Sequence, residues 1–290
     1  MISKLQPLVK KAQRQKYAIP AFNVSNLEMA QAITRAAKAK RSPVIIQTSS
    51  SALSYAGDSI LLSIIEQVAV ALSGNVPIVT HLDHGKELSL VKHCLKIGFR
   101  SVHMDASEYP YKKNIQLTRQ AVIAGHKIGV SVQGELGMIM GSEGLTKIKK
   151  GFDYRQMMTD PSKAAEFVRL TKVDTLAVSV GTIHGSFRGT EKIDFQRLGA
   201  IAKAVSVPLV LHGGSGNSPV LLKRAIKSGI CIINIDTDLR LAYISGLQRA
   251  LAGIKAGTKI DPRAILLSAT KAMQAEAERF MEICGSARKA

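Results

Sequence analysis

The strongest constraint in this chain is a recurrence. Eight short apolar segments run through it: "YAIPAFNV" (17–24), "SPVIIQTS" (42–49), "VPIVTHLDHG" (76–85), "RSVHMDAS" (100–107), "GVSVQGELG" (129–137), "DTLAVSVGTIHG" (174–185), "VPLVLHGGSG" (207–216) and "ICIINIDTD" (230–238). Amphipathic, lysine-rich stretches with helical spacing lie between them. Strands apolar on both faces suit a parallel sheet covered by helices. Eight such units in 290 residues predict one α/β domain over 1–290, a closed (β/α)8 TIM barrel rather than an open sheet. No linker or low-complexity tract interrupts the series. The tail "DPRAILLSATKAMQAEAERFMEICGSARKA" predicts a C-terminal helical extension.

Polar residues are distributed unevenly along these segments. Each opens apolar and ends in a reactive group: Asn23, Ser49, Asp83 with His84, Asp105, Glu135, His184, His212, and Asn234 with Asp236. The C-terminal strand ends of a barrel converge on one mouth, so these separate positions are expected to share one pocket.

Of seven histidines, His84, His184 and His212 end strands three, six and seven, and each precedes a glycine that allows close approach of a ligand. One such histidine reads most simply as a satisfied core residue. Three in matching positions suit a divalent ion, usually zinc, with a coordination position open to substrate. His81 shares a face with Asp83 by strand alternation and is a candidate for supporting that carboxylate. His93 and His126 fall in helical stretches, and His103, within strand four, has no assigned role. Asp83 should point away from His84 if the strand stays regular, which suits a proton donor or hydrogen-bond partner better than a ligand. An acid beside a Lewis acid is what making or breaking a C–C bond next to a carbonyl requires. Asp105 and Glu135 either hold a second cation or tune the first; a solvated strand-end carboxylate is the simpler alternative. "HGGSG" (212–216) and "NIDTD" (234–238) end strands seven and eight, where barrels commonly bind phosphate through backbone N–H groups, with Ser215 and Thr237 as added donors.

Charge and composition narrow the partners. A formal charge of +19 favours anions, but the basic residues are scattered and aromatics are only 4%, which disfavours a nucleic-acid surface built on base stacking. No apolar run approaches the roughly 20 residues of a membrane helix, and the N-terminus lacks the apolar core of a secretion signal. Cys94, Cys231 and Cys284 are odd in number and widely spaced, which suggests neither disulfides nor a thiolate metal site. A cytoplasmic protein is expected.

The ordered blocks "YAIPAFNV", "HLDHG", "SVHMDAS", "GELG", "GTIHG", "LHGGSG", "NIDTDLRLA" and the terminal "CGSARKA" resemble the class II ketose-bisphosphate aldolases over nearly the whole chain. That resemblance implies a zinc-dependent lyase of carbohydrate metabolism and glycolysis. It would reversibly cleave a ketose 1,6-bisphosphate, fructose first and tagatose second, into the triose phosphates dihydroxyacetone phosphate and glyceraldehyde 3-phosphate. A homodimer or homotetramer is implied too, with one catalytic Zn2+ and room for a second divalent or monovalent cation. By motif, His84, His184 and His212 become zinc ligands, and Asp105 and Glu135 secondary cation positions. Asp83 becomes the acid that protonates the aldehyde oxygen in condensation, and Glu143 in "GSEG" the base that removes the proton beside the carbonyl. Gly185, Gly213, Gly214, Ser215, Asn234, Ile235, Asp236 and Thr237 would surround the dihydroxyacetone phosphate end, Ser49 and Arg263 would hold the distal phosphate, and Asn23 joins the substrate-binding set.

The chain departs from the family's pattern at three places. Gln133 stands where a second glutamate alternating with Glu135 is usual, the loop after strand five is basic ("GLTKIKKG"), and "TSSSALSY" (48–55) carries Ser51 in place of a frequent glycine. The rival from another class is a catalytically weakened barrel acting as a basic nucleic-acid or anionic-surface binding protein. Intact ligand positions argue against it, and a steep salt dependence of nucleic-acid binding without sugar cleavage would favour it.

Overall fold

The computed structural model describes residues 1–139, 154–183, 185, 193–254 and 261–290. Its strands are β1 (Ile19–Asn23), β2 (Val44–Ser49), β3 (Ile78–Gly85), β4 (Ser101–Met104), β5 (Ser131–Leu136), β6 (Thr175–Val178), β7 (Leu209–Leu211) and β8 (Ile230–Ile235). They pair in parallel in sequence order, and β8 returns to β1 with Ile19 opposite Ile232, closing the barrel. The eight apolar segments thus become the eight strands. Several stop short of their polar ends: β6 and β7 leave the ladder before Gly185 and His212, whose residues belong to the mouth.

The pleat sends alternate residues inward, and the interior changes character from floor to mouth. Ile19, Ala21, Ile45, Val79, Ala177, Val210 and Ile232 form an apolar lower layer together with Leu5, Val9 and Ala12. The last three belong to the helix Leu5–Gln15, which seals the floor. Two residues further along their strands, Gln47, His81, His103 and Gln133 form a buried polar layer. The outward faces of the strands join a separate core with the surrounding helices, including Phe22, Ile33, Ile46, Leu61, Leu82, Phe167 and Phe280.

Several helices start on side-chain caps that the sequence supplies. Asn26 accepts from Met29 N at the head of Leu27–Lys40, Asp160 from Lys163 N, Ser218 from Leu221 N, and Asp261 from Arg263 N, the last three followed by Pro at the first position. Each such cap contributes about 1 kcal/mol. The predicted C-terminal extension is the helix Pro262–Ile283, which packs on Thr237–Ala252 and on Leu27–Lys40. The three cysteines are free and buried. Among the described residues, no single helix is long and apolar enough to cross a membrane.

One strand is irregular. The register of β3 against β4 slips between Leu82 and Gly85, and His84 adopts a left-handed backbone conformation with φ 47°. Gly85 then crosses close to β4: a Cβ there would lie 2.6 Å from the His103 carbonyl oxygen.

Candidate active site

The kink in β3 decides how the centre is assembled. Regular alternation would turn Asp83 and His84 to opposite faces; the left-handed turn at His84 brings both to the mouth, with Asp83 Oδ1 3.9 Å from His84 Nε2. This corrects the expectation that Asp83 points away from its neighbour. Both residues line one pocket with Asn23, Gly185, His212, Gly213, Ser215, Asn234, Asp236 and Thr237.

Three imidazoles meet here, although not all are the expected ones. The ring centroids of His84 and His212 are 4.5 Å apart, and His103 lies 5.0 Å from the first and 5.4 Å from the second. His184 and Glu143 lie outside the described residues. His103 had no assigned role in the sequence, but it occupies the inward position two residues before Asp105, where alternation would have placed it. Ligand atoms of Asp83, His84, His103 and His212 all fall within 4.8 Å of one another, as do those of His84, His103, Asp105 and Glu135.

Orienting partners surround these groups. His84 Nδ1 is 2.7 Å from Asp105 Oδ2, and Asp105 Oδ1 accepts from Ser107 Oγ at 2.7 Å. The Gln133 amide nitrogen lies 3.1 Å from His212 Nε2, so the residue standing where a second glutamate was expected lies against a ligand candidate. His81 does share the inward face, but its Nδ1 contacts Ser101 Oγ at 2.9 Å, one level below the centre.

Crowding of charge shifts the titrations strongly. Burial pushes His84 down, yet Asp83, the Asp105 hydrogen bond and Glu135 outweigh it and raise the imidazole to about 10. Burial pushes Asp83 up, while His84, the Asn23 amide, His103 and His81 together hold the carboxyl below its ordinary value. Burial, then the Asp105 charge, lifts Glu135 well above the usual carboxylate range. His103 falls to about 3 through burial and the neighbouring His84 charge.

This donor set fits a divalent cation. His103 Nε2 and Glu135 Oε2 are buried atoms with no hydrogen-bond partner, 3.6 Å apart. Such orphaned polar atoms are costly unless something unites them, and imidazole with carboxylate is the ligand chemistry of zinc and related ions. His84 and His212 are the described residues placed to hold the ion, with His103, Asp105 and Glu135 beside them in the same clusters.

The phosphate side is built from the loops after β7 and β8. Gly213 has φ 66°, and a Cβ there would lie 2.3 Å from the Ile183 carbonyl oxygen, so only glycine fits where the segments after β6 and β7 meet. Ser215 Oγ accepts from Asp236 N and Asp238 N, both at 3.2 Å, tying one loop to the other. The Gly214 N–H donates to the Asn234 carbonyl at 2.9 Å, a further tie between the two loops. Ile235 is a fully buried side chain, which leaves only its backbone as a contact. The Arg263 side chain is 91% exposed and pairs with Asp261 at 2.9 Å, outside the lining of the mouth pocket and of the two clefts beside Ser49.

Ser49 separates two further clefts. One is bounded by Asn23, Ser51, Tyr55, Arg240 and Tyr243; the other by Lys86, Asp105, Glu108, Glu135 and Met138.

A closed (β/α)8 barrel with imidazoles and carboxylates clustered at the C-terminal mouth is an enzyme scaffold whose cluster could hold a metal ion. The family model described as fructose-bisphosphate aldolase class-II matches residues 3–289, and the chain belongs to that family. Among solved structures, the chain is similar to the YdjI aldolase from Escherichia coli K12, at 31% identity and a TM-score of 0.86, covering 100% of both chains. A putative fructose-1,6-biphosphate aldolase from Coccidioides immitis gives 31% and 0.85, covering 98% of this chain and 96% of that one. The fructose-bisphosphate aldolase of Campylobacter jejuni gives 25% and 0.82, with 100% and 97% covered.

Proposed function

We propose that this aldolase reversibly cleaves fructose 1,6-bisphosphate, with tagatose 1,6-bisphosphate as the alternative, to dihydroxyacetone phosphate and glyceraldehyde 3-phosphate, and that it depends on zinc. The observation that carries the reading is the placement of Asp83 beside His84 at one mouth, 3.9 Å apart, next to a glycine-rich loop pair suited to phosphate. A bound divalent ion would supply Lewis acidity at the substrate carbonyl, stabilising the negative charge that develops when the C–C bond breaks.

The chain's own residues account for the rest. In the cleavage direction, ionised Asp83 accepts the proton of the hydroxyl that becomes the aldehyde oxygen; in condensation it returns that proton. A depressed carboxyl pKa keeps Asp83 in the accepting form. Gly213, Ser215 and the start of the helix Thr237–Ala252 would bind the phosphate of the ketone half, where backbone N–H groups and the helix end favour an anion. Glu143 is the proposed base at the carbon beside the carbonyl. Asp105 and Gln133 orient His84 and His212. We further propose a homodimer or homotetramer working in the cytoplasm, with no role for nucleic acid or a membrane.

The test is release of dihydroxyacetone phosphate by metal-free protein and by protein reloaded with zinc, on both sugars. Zinc-dependent release from fructose 1,6-bisphosphate is expected. A large margin in favour of tagatose 1,6-bisphosphate would replace the first substrate by the second, and release from neither would refute the reading.

A further inference from the structure

Gln47 is a buried polar residue that neither the motifs nor the proposed chemistry use. It is 1% exposed, sits on β2 level with Asn23 of β1, and lies one position before the residue pair Ser49–Asp83 along the inward face. Its amide nitrogen donates to Asn23 Oδ1 at 2.7 Å and to Asp83 Oδ2 at 3.0 Å. Asn23 in turn donates from Nδ2 to the same Asp83 Oδ2 at 2.9 Å. The three side chains close a triangle in which each amide has one workable orientation. Flipping Gln47 would set its oxygen against Asn23 Oδ1 and Asp83 Oδ2, both acceptors.

The arrangement is not the cheapest way to fill that space. Gln47 Oε1 is left buried with no hydrogen-bond partner, so an apolar residue of similar volume would avoid an orphaned acceptor. What the amide does supply is direction. With Oδ2 taken by Gln47 and Asn23, the other oxygen, Oδ1, is the one turned to His84 and to the Asn234 amide at 3.3 Å. We propose that Gln47 is a positioning residue for carbon–carbon bond cleavage: it locks the Asp83 carboxylate in the rotamer that presents Oδ1 to the proton of the nascent aldehyde oxygen. This rests on the proposed role of Asp83 as the group that moves that proton.

The role predicts a separation of two partial reactions. Exchange with solvent of the proton beside the carbonyl of dihydroxyacetone phosphate involves no aldehyde and should not need Asp83 aligned; bond cleavage should. With zinc-loaded Gln47→Met, kcat for sugar cleavage is expected to fall by about 30-fold, the scale of a small misplacement of a reacting group, with KM changed by less than about threefold. Exchange, followed by deuterium incorporation, should stay within about threefold of the unaltered protein. In an Asp83→Asn background the same substitution should change residual cleavage by less than about twofold, because the two residues act as one unit. Gln47→Glu is the second variant; it keeps size and polarity, sets an acceptor against Asp83, and should lower cleavage with the same sparing of exchange. Parallel loss of cleavage and exchange in both variants, or effects that multiply with Asp83→Asn, would overturn the proposal. Unaltered zinc-loaded protein that performs neither reaction would overturn the aldolase reading itself. Unaltered protein that turns over while both variants do so equally well would overturn only the role of Gln47.

Discussion

His84 Nδ1 and Asp105 Oδ2 meet at 2.7 Å, which fixes the ring so that Nε2 is the nitrogen on the Asp83 side. A carboxylate behind an imidazole ligand sets its tautomer and strengthens its donation to a metal. Asp105→Asn is therefore expected to weaken zinc binding by about 10- to 100-fold while the fold is kept. Competition with a zinc-binding dye reads this directly; unchanged affinity would remove Asp105 from the centre.

Asp83 should behave differently from its neighbour. Asp83→Asn removes the proton acceptor and keeps the shape, so metal content should stay near that of the unaltered protein while cleavage falls by about 100- to 10,000-fold. Elemental analysis beside a turnover assay separates the two. Loss of metal in this variant would reassign Asp83 as a ligand.

Gly213 offers a test of the phosphate side. Gly213→Ala carries about 1–2 kcal/mol of left-handed backbone cost, to which the 2.3 Å overlap with the Ile183 carbonyl oxygen adds. The loop should move, and KM for the sugar phosphate is expected to rise about tenfold or more. Steady-state kinetics with inorganic phosphate as a competitive inhibitor would show whether the anion site is what has changed.

Acid should destabilise the metal-free protein in a defined window. Burial lowers His81 from 6.5 to about 4, so between those values the unfolded chain binds a proton that the folded chain does not. Stability from this residue is present above pH 6.5 and is lost as the pH falls toward 4, by at most about 3 kcal/mol. His84 has the opposite sign, its pKa being raised to about 10: its contribution is intact below 6.5 and is lost as the pH climbs through 10. Urea unfolding from pH 7 to 4 should show a shallower decline for His81→Asn, which keeps a polar atom near Ser101. Equal slopes would assign the acid sensitivity elsewhere.

The barrel was legible because each of its strands is apolar on both faces and helical spacing separates them; every predicted segment contains its strand. The mouth was legible from strand-end residues such as Asp83, His84 and His212, which topology brings together. The roles of the interior partners were not legible. Gln47, His103 and Gln133 each precede a polar strand-end residue by two positions, the same alternation that placed His81 under Asp83, and that pattern was the available signal. One feature had no local signal: the register slip at β3 depends on how Gly85 meets β4.

The left-handed turn at position 84 also limits which residues evolution can substitute there. Among side chains able to bind a cation, histidine, asparagine and aspartate tolerate positive φ better than most, whereas a β-branched residue pays a steep conformational penalty. Replacement by glutamate or cysteine would have to bear both a new coordination length and an unfavourable main-chain geometry. The site's repertoire of metals is thus narrowed by the shape of one peptide unit as well as by the chemistry of its ligands.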